Sequence, residues 1–351
     1  MSKVIVLPLV ALVALVALVA YLVVGSPPGS TVRDRGQPQQ AQAHHHQQQQ
    51  QPQAQRQRQC ATRAKNVRDG RDPWGGCFPG PVNTGVPRRA HLTDYHGPCV
   101  IRRNNTAVLN KTVNCQLTIE ATGVVIRNSY VKGGVSIESP SVYGGGNRTY
   151  SVKVFTSTLN AGSVNSAANH SSRGICCSNF KLFRSETVAG YSGVFCEYYC
   201  VVRNSWIHGQ IPDAAGQAHE SGLRLGSGTR PQSQVVVHNT IRCDADYAPP
   251  EGGCSADVTG YGDFDTIQNN YVNKNLLEWT VSGGYCAYGG STGNKPYAKG
   301  NHNRWIDNVF QRGPSGKCGD YGAITDGDFG KRGNVWKHNH WNTGQRMPPD
   351  G

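Results

Sequence analysis

One short phrase returns along the chain and limits the folds that the chain can adopt. The phrase reads "CVVRNSWI" around Asn204, and its clear and weaker copies centre on Asn128, Thr156, Ser185, Asn239, Asn269, Asp307 and His338. The intervals between neighbouring copies range from 19 residues (185 to 204) to 38 residues (269 to 307). An irregular period of this length is typical of a solenoid whose turns carry insertions in their loops.

A polar residue inside each copy separates two short runs rich in Val and Ile. In a parallel β-solenoid each turn lays its strands on those of the turn below, about 4.8 Å away. Asparagine tolerates the left-handed backbone of a tight corner, and an inward-turned amide can bond the amide of the next turn. We therefore predict that Asn204 marks a corner between two strands, and that Asn128, Asn239 and Asn269 stack with it as a ladder.

The first quarter of the chain differs in composition from the rest. Residues 4–24 are an uninterrupted apolar run of 21 residues, and a membrane-spanning helix needs about 20. Residues 1–25 are therefore predicted to be a membrane anchor or a cleavable signal segment. Residues 26–75 form a Gln-, Pro- and His-rich linker with too few large apolar side chains to fold. The repeats place the folded domain at 76–345, before a short tail at 346–351.

All twelve cysteines follow residue 59. An even number, confined to the exported part, indicates disulfides and an extracellular or cell-surface location. Short loops favour the pairs Cys60–Cys77, Cys99–Cys115, Cys243–Cys254 and Cys286–Cys318, which leaves Cys176, Cys177, Cys196 and Cys200 to pair among themselves.

The net charge of +13 favours an acidic partner. Anionic polysaccharide, cell-wall polymer and a membrane surface all meet that description. The sequence contains no nucleic-acid recognition module and no GxSxG, P-loop, HExxH or dinucleotide motif. The predicted partners are thus a polysaccharide or cell-surface glycan, and a membrane through residues 4–24, but not nucleic acid.

Two longer stretches carry a resemblance to a known family. "WIHGQIPDAAGQAHESGLRLGSG", followed by "VVVHNTIRC", is similar to a phrase of exported bacterial β-helix proteins, in which "IHG" or "IHD" precedes "AHxDGI" and "HNTI". "CFPGPVNTGVP" at 77–87 resembles the opening of such proteins. Over about 76–345 the chain therefore resembles the right-handed parallel β-helix, or pectate-lyase-like, superfamily.

The resemblance implies an all-β fold, a right-handed parallel β-helix. The apolar run and the composition of the linker place an N-terminal hydrophobic helix and a disordered linker before it. The resemblance does not imply a reaction, because this fold carries lyases, hydrolases, epimerases and non-catalytic adhesins. The sequence also departs from the family phrase, since "AHESG" has Ser221 where the acid is expected. The acidic group is then Glu220, one place early, or it is absent.

In families of this fold the substrate lies along the face of one sheet, at matching positions of consecutive turns. The strands of that sheet are predicted within 192–200, 221–228, 255–263, 284–292 and 320–328. If Leu223, Val258 and Ala287 point inward, their neighbours point outward. The predicted catalytic residues are His219, Glu220, Arg224 and Asp257, the predicted substrate-binding residues are Glu197, Tyr261, Asp263 and Tyr288, and no metal ligand is assigned.

These residue types suit two reactions on a polysaccharide. β-Elimination at a uronic acid needs a cation to neutralise the carboxylate and a base to remove the C5 proton. Arg224 can act as neutraliser or base, and His219 or Tyr288 as base or acid. Hydrolysis instead needs two carboxylates about 5–9.5 Å apart. Asp257 with Glu220, or with Asp263, would supply that pair.

Two further groups of side chains bear on ligands. Asp244 with Asp246, and Asp263 with Asp265, are close enough in sequence to suggest Ca²⁺, the one cofactor considered. Tyr261, Tyr285, Tyr288 and Trp279 could stack on sugar rings.

The sequence thus predicts an exported β-helix protein that cleaves an anionic glycan as a lyase or hydrolase. The alternative is a non-catalytic β-helix that binds surface glycan or cell-wall polymer and acts in adhesion.

Overall fold

The computed structural model describes residues 60, 70–137, 150–162, 172–213, 215–226 and 233–349. The predicted anchor at 4–24 and most of the predicted linker lie outside these residues. Across the ranges given, no helix is both long and apolar enough to cross a membrane.

Short strands build three sheets, and each full turn of the chain adds one strand to every sheet in the same order. Sheet 1 contains β1 (Thr93–Asp94), β4 (Lys111–Val113), β7 (Tyr130–Lys132), β10 (Thr158–Asn160), β13 (Glu186–Val188), β16 (Trp206–His208), β19 (Thr240–Ile241), β22 (Leu276–Leu277), β25 (Val309–Phe310) and β28 (His340–Trp341). Sheet 2 contains β2 (Val100–Ile101), β5 (Leu117–Ile119), β8 (Val135–Ile137), β11 (Arg173–Ser178), β14 (Ser192–Tyr198), β17 (His219–Leu225), β20 (Gly253–Thr259), β23 (Tyr285–Tyr288) and β26 (Gly322–Thr325). Sheet 3 contains β3 (Ala107–Leu109), β6 (Val124–Arg127), β9 (Val152–Phe155), β12 (Phe180–Phe183), β15 (Val201–Arg203), β18 (Val235–Val237), β21 (Tyr271–Asn273), β24 (Arg304–Ile306) and β27 (Val335–Lys337).

Neighbouring strands in all three sheets run parallel, and each pairs with the equivalent strand one turn away. In sheet 2, for example, Leu223 pairs with Val258, Val258 with Ala287, and Ala287 with Ile324. All four are buried in one continuous hydrophobic core. The predicted all-β fold of stacked parallel strands is confirmed, as is the prediction that Leu223, Val258 and Ala287 belong to its interior.

The corner from sheet 3 to sheet 1 is made by two residues. The first is left-handed, with φ between 45° and 57°, at Asn110, Asn128, Thr156, Arg184, Asn204, His238, Lys274, Asp307 and His338. An L-residue adopts this conformation at a cost, which asparagine bears better than most. Asn204 is therefore a corner residue, as predicted.

The second corner residue has no solvent exposure at any turn from Ser129 onward, and it forms a ladder. Its members are Ser129, Ser157, Ser185, Ser205, Asn239, Asn275, Asn308 and Asn339. Each accepts the backbone N–H of its equivalent one turn earlier, as when the Asn275 Oδ1 accepts from the Asn239 amide at 2.9 Å. Buried polar groups are thus paired with one another inside the core.

Serine and asparagine act differently in this ladder. The Ser157 hydroxyl donates to the Phe155 carbonyl of its own turn, at 2.8 Å. The Asn275 amide instead donates to the Val236 carbonyl at 2.9 Å and to the Asn308 Oδ1 at 3.0 Å. An asparagine rung therefore links three turns, whereas a serine rung links two.

The predicted stacking is wrong in detail at three positions. Asn204 stacks on His238, whose Nδ1 lies 2.7 Å from the Asn204 Oδ1, whereas Asn239 belongs to the buried column one residue later. Ser185 also belongs to the buried column, one residue after the left-handed corner residue Arg184. Asn269 lies at another corner, before sheet 3. The reason is that both corner positions accept small polar residues, so residue type alone does not fix the register.

Six disulfides join the cysteines; the four predicted pairs are confirmed, and the other four cysteines pair among themselves, as expected. The disulfides are Cys60–Cys77, Cys99–Cys115, Cys176–Cys177, Cys196–Cys200, Cys243–Cys254 and Cys286–Cys318. Such a number of disulfides is typical of extracellular proteins.

Residues 70–75, which the sequence assigns to the linker, pack on the solenoid. The Asp72 carboxylate lies 3.0 Å from the His238 ring nitrogen Nε2. Phe78 joins a small buried cluster with Leu276 of sheet 1. The ordered body therefore begins before its first strand.

Candidate functional site

A cleft of about 470 Å³ opens beside sheet 2. Five of the predicted site residues line it: His219, Arg224, Tyr261, Asp263 and Tyr288. His219 and Arg224 come from β17, Tyr288 comes from β23, and the loop after β20 supplies the other two. Equivalent positions of successive turns lie side by side in a parallel sheet, which is why residues far apart in sequence meet here.

Asp263 holds two cations at the centre of the cleft. Its Oδ2 lies 3.0 Å from the Arg224 guanidinium, and its Oδ1 lies 2.7 Å from the Lys295 ammonium. The Arg224 guanidinium also donates to the Tyr191 hydroxyl at 3.5 Å. Two positive groups thus converge on one carboxylate, with Glu251 as a second carboxylate of the lining.

Tyrosine side chains continue from the cleft to the open surface. The ring centroids of Tyr261 and Tyr288 are 4.7 Å apart, those of Tyr288 and Tyr285 are 5.9 Å apart, and those of Tyr285 and Tyr321 are 6.0 Å apart. Tyr321 is 72% exposed. A run of aromatic rings of this kind offers apolar faces to sugar rings and hydroxyls to their oxygens.

The hydroxyls of the two inner tyrosines are held in the protonated form. Burial raises the pKa of Tyr261 far above its ordinary value, although a hydrogen bond with Ser255 opposes the shift. Burial also raises the pKa of Tyr288, and the Asp326 carboxylate adds to that effect. At neutral pH both residues are therefore hydrogen-bond donors and potential acids, not bases.

Three predicted site residues lie away from the cleft lining. Glu197, Glu220 and Asp257 are 1%, 0% and 0% exposed. The expected exposed stripe is thus wrong at Glu197 and Asp257, because strand alternation alone does not show which side chains other parts of the chain bury. The Ser178 hydroxyl bonds the Glu197 Oε2 at 3.2 Å, and the Cys243 amide donates to the Asp257 Oδ1 at 2.7 Å.

Glu220 fastens two segments of backbone. It accepts hydrogen bonds from the amides of Asp213 and Gly253, both at 3.0 Å. Burial raises its pKa to about 7 against the effect of those amides. The Glu220 carboxyl thus has a structural contact with each of these two segments, and its catalytic role stays a prediction.

Two of the four residues predicted to bind calcium, Asp244 and Asp263, are engaged by cations. Asp244 pairs with Arg242 at 2.7 Å, and Asp263 is held by its two cations. Within the described ranges one group of three possible ligands comes together, where the Asp257 carboxylate lies within 4.8 Å of two sulfurs. Those sulfurs form the Cys286–Cys318 disulfide. Calcium needs six to eight oxygen ligands, so these donor sets do not fit it.

Sequence reasoning missed Lys295, Tyr191, Tyr247 and Glu251 in the lining. Tyr191 directly precedes the "SGV" of β14, which matches the "SGL" of β17, and that match was a sequence signal that would have located it. The other three lie in loops, whose course the repeat does not determine.

The fold and the cleft together define a parallel β-solenoid protein with a polar, tyrosine-lined cleft on one sheet. No family model, curated protein or solved structure matches this chain.

Proposed function

We propose that this protein is an exported member of the right-handed, pectate-lyase-like β-helices that cleaves an acidic polysaccharide by β-elimination in the sheet 2 cleft. Right-handed winding is expected because connections between parallel strands of one sheet almost always have that hand. Export is supported by the six disulfides and by the apolar run at 4–24, which would hold the chain at a membrane or be removed.

The observation that carries the proposal is the presence of Arg224 and His219 in one cleft, on one strand, beside Lys295. A uronate carboxylate seated against Arg224 and Lys295 has its charge neutralised, which acidifies the neighbouring C5–H. His219 takes that proton, the electron pair forms the C4=C5 double bond, and the C4–O bond breaks. Tyr288 or Tyr261 protonates the leaving oxygen.

Elimination is proposed because Arg224 and Lys295 line the cleft and because the hydrolytic pairs predicted from the sequence are incomplete there, although Asp263 and Glu251 also line it. A hydrolase needs two carboxyl groups that reach the substrate. Glu220 and Asp257 are fully buried, and neither belongs to the cleft lining. Each predicted hydrolytic pair contains Asp257, so each lacks a member at the cleft.

A second candidate function is glycan binding without cleavage, as in an adhesin or a cell-wall-binding protein. Two observations favour it. Asp263 already pairs with both cations of the cleft, so a sugar carboxylate must compete with it. The tyrosine run from Tyr261 to Tyr321 is also a typical platform for sugar rings.

The experiment that separates the two functions is a panel of acidic and neutral polysaccharides. Elimination produces an unsaturated sugar that absorbs at about 235 nm, whereas hydrolysis releases only reducing ends. Wild-type protein should yield the unsaturated product from an acidic polysaccharide. Arg224→Ala and His219→Ala should abolish it.

The control variants are Arg103→Ala and His91→Ala, which replace exposed residues of the same types elsewhere. Both should retain activity. Absence of product from every polysaccharide, together with binding that Tyr288→Ala removes, would reject the lyase and establish the binding function.

A further inference from the structure

The outer face of sheet 3 carries positive charges on four consecutive turns. Lys153 of β9 and Lys181 of β12 are direct register partners. In the neighbouring column Arg127 of β6 pairs with Phe155, and Phe183 pairs with Arg203 of β15. Arg184 follows β12 at the corner. The five cations, Arg127, Lys153, Lys181, Arg184 and Arg203, are all exposed, and we call them the sheet 3 basic face.

Carboxylates of the described ranges leave this face unneutralised. The ion pairs of the described ranges involve none of these five cations. Their basic members are Arg102, Arg224, Arg242, Lys295, Lys331, Arg332 and three histidines. Five cations within a few turns of about 4.8 Å raise the local positive potential and attract a polyanion. The sheet 2 cleft, in contrast, has its cations paired with Asp263.

A groove of about 500 Å³ runs beside the two lysines. Its lining comes from the start of β6 and β9 and from Asn179, with Lys153 and Lys181 contributing side chains. The lysines thus flank a recess on the face. A flat or convex surface with outermost apolar side chains would be expected for docking on a membrane.

The apolar side chains on the face are occupied. Phe155 and Phe183 stack on each other, with centroids 5.3 Å apart and an interplanar angle of 16°. The Arg127 guanidinium lies 5.0 Å from the Phe155 centroid. Proteins that bind single-stranded nucleic acid offer free ring faces for base stacking, whereas here the Phe155 ring is contacted by both Phe183 and Arg127. The face therefore presents positive charge, with the Arg127 guanidinium packed against the Phe155 ring.

We propose that the sheet 3 basic face binds a linear anionic polysaccharide, which lies across successive turns and places its sulfate or carboxylate groups against Lys153, Lys181 and the flanking arginines. This surface is separate from the sheet 2 cleft and does not depend on cleavage there. Through it the protein binds an acidic polymer electrostatically, whichever function the cleft performs.

The test uses the full chain and heparin as the sulfated probe, with dextran as the neutral control. Lys153→Gln/Lys181→Gln removes two charges from the face. Arg88→Gln/Arg89→Gln removes two exposed charges from another segment and serves as the matched control. Wild-type protein should bind heparin and not dextran, and raising the salt from low to physiological levels should weaken binding about tenfold or more.

The lysine double variant should bind heparin about tenfold more weakly than wild type, while the control stays within about twofold. The lysine double variant should act on or bind a short uronate oligosaccharide in the sheet 2 cleft as wild type does, because neither lysine lines that cleft, which separates this surface from the proposed active site. Thermal unfolding should be the same for all variants, because the replaced side chains are exposed. Equal loss in the two double variants would overturn the proposal, and tighter binding of duplex DNA or anionic vesicles than of heparin would overturn the choice of polysaccharide.

Discussion

Replacement of Asn275 by alanine tests whether the buried ladder holds the turns together. The Asn275 side chain makes four hydrogen bonds, two accepted from Asn239 and two donated to Val236 and Asn308, all between 2.9 and 3.0 Å. The Asn239 side-chain amide keeps its bond to Val202, and the Asn308 Oδ1 keeps the Asn275 backbone amide. Alanine thus leaves the Asn239 backbone amide and the Val236 carbonyl without the side-chain partner.

An unsatisfied buried donor or acceptor costs about 1–3 kcal/mol. We expect Asn275→Ala to lower the free energy of unfolding by about 3–4 kcal/mol. Asn275→Ser should cost only about 1 kcal/mol, because a serine hydroxyl accepts the amide of the previous turn, as Ser205 does from Ser185 at 3.2 Å.

Guanidinium unfolding of the full chain, with its disulfides intact, measures these differences. Hydrogen exchange at the Asn239 amide reports the same loss locally and should be accelerated in the alanine variant only. Asn294→Ala, in an exposed loop, is the control. An alanine variant as stable as wild type, or a serine variant as unstable as the alanine one, would refute the ladder argument.

Three other predictions follow from the cleft, from a buried acid and from the disulfides. Tyr288→Ala should weaken binding of an oligosaccharide about fivefold to tenfold, whereas Tyr297→Ala should not, as measured by calorimetric titration. Burial raises the pKa of Glu278 from 4.5 to about 7, so its contribution to stability is complete below pH 4.5 and is lost as the pH rises through 7. Glu278→Gln should therefore flatten the fall in unfolding free energy between about pH 4.5 and pH 7, and an unchanged slope would contradict this. Removal of Cys286–Cys318, which closes 32 residues, should cost about 4 kcal/mol, and removal of Cys243–Cys254, which closes 11, about 3 kcal/mol; denaturation of the two double-alanine variants should show this order.

The fold was predictable because its repeat unit is local. A corner such as Asn204 needs a left-handed residue between two apolar runs, and both features are visible in the sequence. The register was harder, because Ser205 and Asn239 occupy one column although a hydroxyl and an amide differ in type. Alignment on asparagine therefore slipped by one residue where the ladder changes from serine to asparagine.

Strand alternation located Arg224 and Tyr288, since the residues that precede them on their strands, Leu223 and Ala287, belong to the core. It failed for Asp257, whose carboxylate is buried and accepts the backbone amide of Cys243. It could not find Lys295, because the meeting of Lys295 with Asp263 depends on the lengths of two loops. The backbone repeat thus encodes the sheet, whereas the loops complete the site.

The change from serine to asparagine along the ladder determines the order in which the turns would unfold under mechanical force or during proteolysis. The early turns, with serine at Ser129 to Ser205, are tied only to their immediate neighbours, so we expect unravelling to start there. Strands β17, β20 and β23 lie in the turns that end at Asn239, Asn275 and Asn308. A chain cleaved or stretched from its amino-terminal side would unfold its amino-terminal turns first and keep the turns that contain Arg224 and Tyr288.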